Sequence, residues 1–281
     1  MKKLMIMCFV GTLAAPLPAS SQRESTADSL LTRELGHGDA VVWYLSHAGW
    51  AVRTAAHLLV FDYWERVPPA APRTLDDGYV DPAQLGDHNV VVFVTHSHGD
   101  HFDPIIYEWR GAVPNITYVF GWQATTAPEF TYLTEPYADV EIDGVRIRTV
   151  NHAFDGVPEV AFLVEADGVT VFHSGDHGST GDEVNPLFTE NIDYLASLGR
   201  EIDIAFLSIF GRRGGGVVNQ GDLYTLDHLQ PRITFPMHRG GAEEAYEEWA
   251  RAVAESRRGV NIRFPARQGD VFVYEEGRIT R

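Results

Sequence analysis

At 281 residues the chain can form one large α/β domain or two small ones. It carries 39 acidic against 22 basic side chains, a formal charge of −17, which disfavours nucleic acid as a partner because phosphate contacts need lysine and arginine. The single cysteine, Cys8, and the only lysines, Lys2 and Lys3, stand at the N-terminus.

Lys2 and Lys3 precede an apolar stretch at 4–13, and 14–21 is small and proline-containing. This is the pattern of a secretory signal peptide over 1–21, too short to span a membrane. The expectation is a periplasmic or secreted protein without stable membrane insertion. Its mature charge is −19, the −17 less two lysine charges. Such a mature chain has no disulfide, no thiolate ligand and no lysine. A cysteine nucleophile, a Schiff-base lysine and a phosphate-loop lysine are thereby excluded.

Residues 22–39 are polar and aperiodic and read as a loose lead, with one domain over 40–281. Residues 41–45 read as the first strand, 46–50 as a turn containing His47, 51–54 as its return and 58–62 as the next strand. The loop at 63–88 holds Pro68, Pro69, Pro72 and Pro82 and has the length of a lid or an insertion. Trp64, Arg66 and Tyr79 are its candidate substrate contacts. The apolar, β-branched run 90–94 reads as a fully buried strand.

That strand runs into Thr95-His96-Ser97-His98-Gly99-Asp100-His101. Three imidazoles and a carboxylate within six residues, at the mouth of a loop, suit zinc or a similar divalent ion. So short a loop cannot aim all four side chains at one ion. The spacing suggests two neighbouring metals, His96 and His98 serving one, Asp100 and His101 the other.

Further on, 104–110 suits a short helix with proline at its first turn, and 116–120 a strand. Asp143-Gly144 and Asp167-Gly168 favour primed turns and predict hairpins over 140–150 and 160–172. His152 sits just past the first. The second delivers His173-Ser174-Gly175-Asp176-His177. Asn185 and Pro186 predict a capped helix to about 198. A buried strand at 202–209 is followed by a glycine-rich loop with Arg212 and Arg213. It lacks lysine and the G-x-G-x-x-G pattern, so nucleotide binding is not expected, and the arginines either grip an anion or are solvated. Residues 219–230 look helical, and 233–235 form a strand that presents His238 before Arg239-Gly240-Gly241. An amphipathic helix at 242–257 precedes closing strands at 260–264 and 271–274.

The 95–101 motif, followed in order by His152, Asp176 and His238, each after a β-like run, resembles the metallo-β-lactamase superfamily over roughly 40–275. The hairpin-rich start ending at Asp62 is similar to its lactonase-like and phospholipase-D-like branch, although Tyr63 stands where that branch has proline. The resemblance implies a four-layer αβ/βα sandwich with metals at one edge. It implies two divalent ions, zinc first and manganese or iron next: one on His96, His98 and His152, one on Asp100, His101 and His238, with Asp176 bridging. The expected activity is that of an exported hydrolase of a small molecule. A metal-bound hydroxide would attack a lactone or other ester-like bond. A phosphodiesterase is the alternative, and a non-catalytic metal-binding or redox protein the third reading. The diiron relatives carry glutamate where this chain has His98, which favours hydrolysis. The all nitrogen and oxygen donor set departs from zinc β-lactamases that use cysteine. Asp100, His47 as a substrate contact and His173 as a proton donor complete the expected catalytic group. His177 is an alternative donor, and Asp62 is expected to hold the metal loop.

Overall fold

A computed structural model describes residues 26–69, 73–122, 131–133, 135–151, 158–179, 184–211 and 215–280. The segment 1–21, Pro72, His152, Arg212 and Arg213 lie outside them. Strands β1 (Ala40–Ser46), β2 (Gly49–Arg53) and β3 (His57–Phe61) form an antiparallel meander. The meander continues in parallel through β4 (Asn89–Val94), β5 (Ile116–Phe120) and β6 (Thr131–Leu133). A second sheet contains β7 (Asp139–Ile142), β8 (Val145–Asn151), β9 (Val160–Ala166), β10 (Val169–His173), β11 (Ile204–Ser208) and β12 (Ile233–Met237), in the order β12-β11-β10-β9-β8-β7. The strands β13 (Val271–Glu275) and β14 (Arg278–Ile279) return to the first sheet beside β1. The two predicted hairpins turn on Asp143-Gly144 and Asp167-Gly168, all four at positive φ, as a type I′ turn requires.

The strands read as continuous apolar runs because both faces are covered. In β1, Ala40, Val42 and Tyr44 belong to the core between the sheets, while Val41, Trp43 and Leu45 face the outer layer. Between the sheets Trp50 stacks on Phe206 at 4.5 Å and Phe93 meets Phe162 edge-on at 5.3 Å. The outer layer over the first sheet is made by Leu31, Leu35, Leu75, Leu85, Ile106 and Trp109. These come from α1 (Thr26–Thr32) and the turn after it, from the 63–88 loop and from a 3-10 segment, Pro104–Gly111. Helices α2 (Pro186–Ser197), α3 (Gln220–Leu229) and α4 (Glu244–Ser256) cover the second sheet. The layers are thus helix, sheet, sheet, helix. Among the described residues no helix is long and apolar enough to cross a membrane.

The structure differs from the sequence reading in four places. The lead at 22–39 holds α1, which docks Leu31. The segment 104–110 winds as a 3-10 helix. Residues 260–264 give one bridge, Thr234 to Ile262, instead of a strand. The short edge strands β6 and β14 were not expected. None of these departures touches the layout that positions the site. Strands β3 and β4 run parallel in one sheet and β10, β11 and β12 in the other. Their C-terminal ends carry Asp62, the 95–101 loop, Asp176 and His238. Ligand sites in open parallel sheets form at this end of the strands.

Candidate metal centre

The loop after β4 is tied down from below. Thr95 donates its backbone N–H to Asp62 Oδ1 and its hydroxyl to Oδ2, both at 2.8 Å, and His101 Nδ1–H donates to Oδ2 at 2.7 Å. Asp62 is fully buried, and its carboxyl is held below the usual range: burial opposes ionisation, but His101 and His173 outweigh it. The backbone crosses closely here as well. A Cβ on Gly121 would lie 2.2 Å from the Thr95 carbonyl oxygen, so only glycine fits. The amides of His101 and Phe102 both bond the His98 carbonyl, which curls the loop and sends His96, His98 and His101 toward one side.

These bonds also fix the tautomers. The Thr95 hydroxyl spends its proton on Asp62, so its 3.0 Å contact with His96 Nδ1 is an N–H donated by the imidazole. His96 and His101 therefore each turn an Nε2 lone pair into the site, oriented by a partner on the other nitrogen, as metal-ligating histidines are. The carboxylate of Asp176 sits between them. Its Oδ1 is 2.8 Å from His238 Nε2 and 3.1 Å from His101 Nε2, while Oδ2 is 3.7 Å from His96 Nε2. His96 Nε2 is 3.0 Å from His98 Nδ1, and His101 Nε2 is 3.2 Å from His238 Nε2.

Acceptors thus face acceptors. The buried Asp176 Oδ1 has no hydrogen-bond partner. Burial works against a charged His101, yet Asp62 and Asp176 on its two sides push its pKa up to about 10. Burial likewise opposes ionisation of Asp176, but the flanking His101 and His238 imidazoles hold its carboxyl far below the usual range. Burial and the neighbouring His101 push His96 down to about 4, so it stays a neutral donor. Paired carboxylate and imidazole donors around a buried, unpartnered oxygen fit divalent cations, and nitrogen and oxygen donors of this kind suit zinc, manganese or iron. Among the described residues two groups can hold a metal: His47, Asp100, His101 and His238, and His96, His101 and Asp176.

His47 is brought to the site in a particular way. Its Nδ1 accepts the Gly240 N–H at 3.2 Å, which leaves Nε2–H pointing at Asp100 Oδ2, 3.3 Å away. The His47 imidazole beside it is the main cause holding the Asp100 carboxyl well below its usual range. The His47 ring lies 4.2 Å from that of His238 and meets Trp64 edge-on at 5.7 Å. Four non-glycine residues at or beside the site have positive φ: Ser46 at 132°, His47 at 53°, Asp62 at 42° and His238 at 74°. Such conformations cost of order 1–3 kcal/mol each and concentrate where a site must be shaped.

His173 is not brought to the open side of the site, where a proton donor must stand. It is fully buried, its Nε2–H donates to the Ala48 carbonyl at 2.9 Å, and its Nδ1 accepts the Gly175 N–H at 3.2 Å. Its ring stacks on Phe61. It pins the β1–β2 turn to the end of β10. His177 is buried on Phe188 against the Asn191 amide, and burial pushes it down to about 3. Tyr79 donates its hydroxyl to the Val67 carbonyl within the 63–88 loop. Sequence reasoning missed three supporting groups. Thr95 orients His96, Phe210 packs on His238 at 4.8 Å, and Gly240 lets the backbone after His238 lie against His47. A glycine pair directly after a ligand histidine was the one available signal.

Residues 41–238 match the family described as the beta-lactamase superfamily domain. The chain is 28% identical over 215 residues to a UPF0173 metal-dependent hydrolase of Pyrococcus horikoshii, covering 70% of this chain and 83% of that one. Among solved structures, Igni18, a metallo hydrolase from Ignicoccus hospitalis, superposes with a TM-score of 0.58 at 19% identity over 84% of this chain and 99% of the other. The metallo-beta-lactamase fold protein YhfI of Bacillus subtilis gives 0.56 at 14% identity, over 84% and 99%.

Proposed function

The chain belongs to the β-lactamase superfamily, and from that premise we propose that it is an exported metal-dependent hydrolase with two metals, acting on a lactone or other ester-like bond of a small molecule. The observation that carries the reading is Asp176. Its carboxylate divides between His101 and His238 on one side and His96 on the other, with its buried Oδ1 unpartnered. His96 and His98 would hold one cation, Asp100, His101 and His238 the second, with Asp176 shared; His152 is the further donor expected for the first. Divalent cations in such a pair acidify a water and polarise the scissile bond. The chain's own residues fix the donors: Asp62 holds His101, Thr95 holds His96, and His47 holds Asp100. Lysines confined to positions 2 and 3 and a single cysteine at position 8 agree with a reaction that needs no protein nucleophile. The basic, apolar and small-residue pattern of 1–21 supports export.

Elemental analysis of the purified protein beside Asp176→Ala tests the site. About two metals per chain, falling sharply in the variant, are expected. One metal or fewer, unchanged by the variant, overturns the shared carboxylate. Matched panels of lactones and phosphodiesters then test the substrate class, and turnover of phosphodiesters alone replaces the ester reading. N-terminal sequencing of protein recovered from the periplasm or medium tests export, with a start near residue 22 expected.

A further inference from the structure

The rim of the site carries cations that the fold does not use. Among the described residues, several arginines away from the site are paired with carboxylates: Arg73 with Glu65, Arg146 with Asp139, Arg232 with Glu201 and Arg257 with Asp227. Arg66 and Arg239, both exposed, have no carboxylate partner among the described residues. The nearby acids are already engaged. Glu65 takes Arg73 and the Tyr63 hydroxyl, and Glu243 takes the Gly241 N–H and lies 3.3 Å from the Tyr44 hydroxyl.

Both guanidinium groups are placed against glycine beside the metal donors. A Cβ on Gly241 would lie 2.9–3.0 Å from the Arg66 guanidinium, so the bare backbone there seats the planar group. A Cβ on Gly240 would lie 2.8–3.0 Å from His47, so the same pair of glycines carries Arg66 and presses on the histidine that holds Asp100. Arg239 directly follows His238, and its guanidinium reaches Gly211, next to Phe210, which packs on the His238 ring. Trp64 and Phe210 are half-buried aromatics, each against a histidine of the cluster.

We propose that Arg66 and Arg239 form an anion clamp, so that the substrate of this site is a small ester-like molecule bearing a carboxylate or phosphate, with its apolar part on Trp64 and Phe210. Guanidinium forks match either oxyanion by paired hydrogen bonds. The inference rests on the hydrolase reading for the bond that is cleaved, but the clamp itself is a binding claim.

The test is calorimetric titration of the metal-loaded protein with phenylacetate, phenyl phosphate and, as the neutral probe, benzyl alcohol. The anions are expected to bind at least tenfold more tightly than the alcohol. Arg66→Ala and Arg239→Ala should each weaken the preferred anion about tenfold, the size of one lost charge-assisted hydrogen bond. Arg278→Ala, on the edge strand β14, should bind as the wild type does. Whichever anion is preferred identifies the headgroup. Equal binding of anion and alcohol, or anion binding untouched in both arginine variants, overturns the clamp. Turnover is scored separately with a p-nitrophenyl ester bearing a carboxylate. Arginine-dependent binding without hydrolysis of any ester would sink the hydrolase reading and leave the clamp standing.

Discussion

The sandwich has a histidine and aspartate cluster at each end, and the two are built on opposite rules. At the base, Asp167 Oδ2 accepts from the Thr54 hydroxyl at 2.6 Å, the Ala56 N–H at 2.8 Å and His57 Nδ1 at 2.9 Å, while His57 Nε2 meets the Asp143 carbonyl at 3.0 Å. The Thr54 hydroxyl and the Ala56 N–H each meet an acceptor there, both oxygens facing His57 can accept its N–H, and the network joins the β2–β3 turn to two hairpin turns of the other sheet. At the opposite edge, the Nε2 atoms of His96, His101 and His238 converge on a carboxylate whose buried Oδ1 has no hydrogen-bond partner. The same residue types therefore mean different things. A satisfied cluster is a brace, and an unsatisfied one is shaped for something that is not protein.

The sharpest way to break this comparison is to exchange the consequences. Asp176→Ala should lower hydrolysis at least a hundredfold, beyond the 10–100-fold that residues orienting a ligand supply. Wild-type protein with metal at about a hundred times its Kd should gain roughly 2.7 kcal/mol over the chelated form, and the variant should show no such gain. Asp167→Asn should do the reverse. It keeps a side chain tolerated at the Asp167 φ of 49° but loses acceptor strength for three donors, so denaturant unfolding should show a loss of about 1–3 kcal/mol. Metal content and activity should stay at wild-type levels. If Asp167→Asn depletes metal, or Asp176→Ala keeps its metal, the two clusters are not separate in kind.

Asp62 tests the boundary between the two rules, since it is a satisfied brace placed under an unsatisfied site. Asp62→Asn must offer an amide N–H to one of the two partners that now donate to Oδ2, so Thr95 and His101 compete for what remains. The expected result is a 10–100-fold loss of metal affinity by titration with a chromophoric chelator, together with a smaller loss of stability. Loss of stability with metal affinity intact would mean that the His101 orientation does not depend on Asp62.

The two ends were not equally legible in the sequence. The metal edge announced itself because donors cluster in the 95–101 loop and because Asp-Gly turns fixed the hairpins that lead toward His152 and Asp176. The base brace was invisible, since His57, Asp143 and Asp167 lie far apart in the chain and each reads as an ordinary turn residue. His173 misled for a related reason. It stands three residues from Asp176, but it closes β10 with its ring between the sheets on Phe61, and the turn at 174–176 separates the two side chains. Helix α1 was missed because, among the described side chains, it and the following turn fully bury only Leu31 and Leu35, too few for a period. The positive φ values at His47, Asp62 and His238 are tertiary facts that no local pattern carries.

The smallest effect comes from a third buried carboxylate, which asks whether it is burial or the partner that decides. Asp62 and Asp222 are both buried, but Asp62 faces imidazoles while Asp222 Oδ2 receives only the neutral donors Asn219 N–H at 3.1 Å and Trp249 Nε1–H at 2.9 Å. Burial dominates at Asp222 and pushes its pKa up to about 7, where Asp62 is held down. The folded state therefore keeps a proton on Asp222 that the unfolded chain releases near pH 4. Its contribution to stability is full below that value and is lost as pH rises through about 7, with a slope of up to about 1.4 kcal/mol per unit in between. The measurement is the difference in unfolding free energy between wild type and Asp222→Asn from pH 4 to 8, which cancels the titration of the metal edge. Asn219 and Trp249 keep an acceptor in the variant, so wild type should lose stability relative to it across that window. A flat difference would mean that two neutral hydrogen bonds suffice to keep a buried carboxylate ionised, and the imidazole partners would no longer explain why Asp62 stays charged.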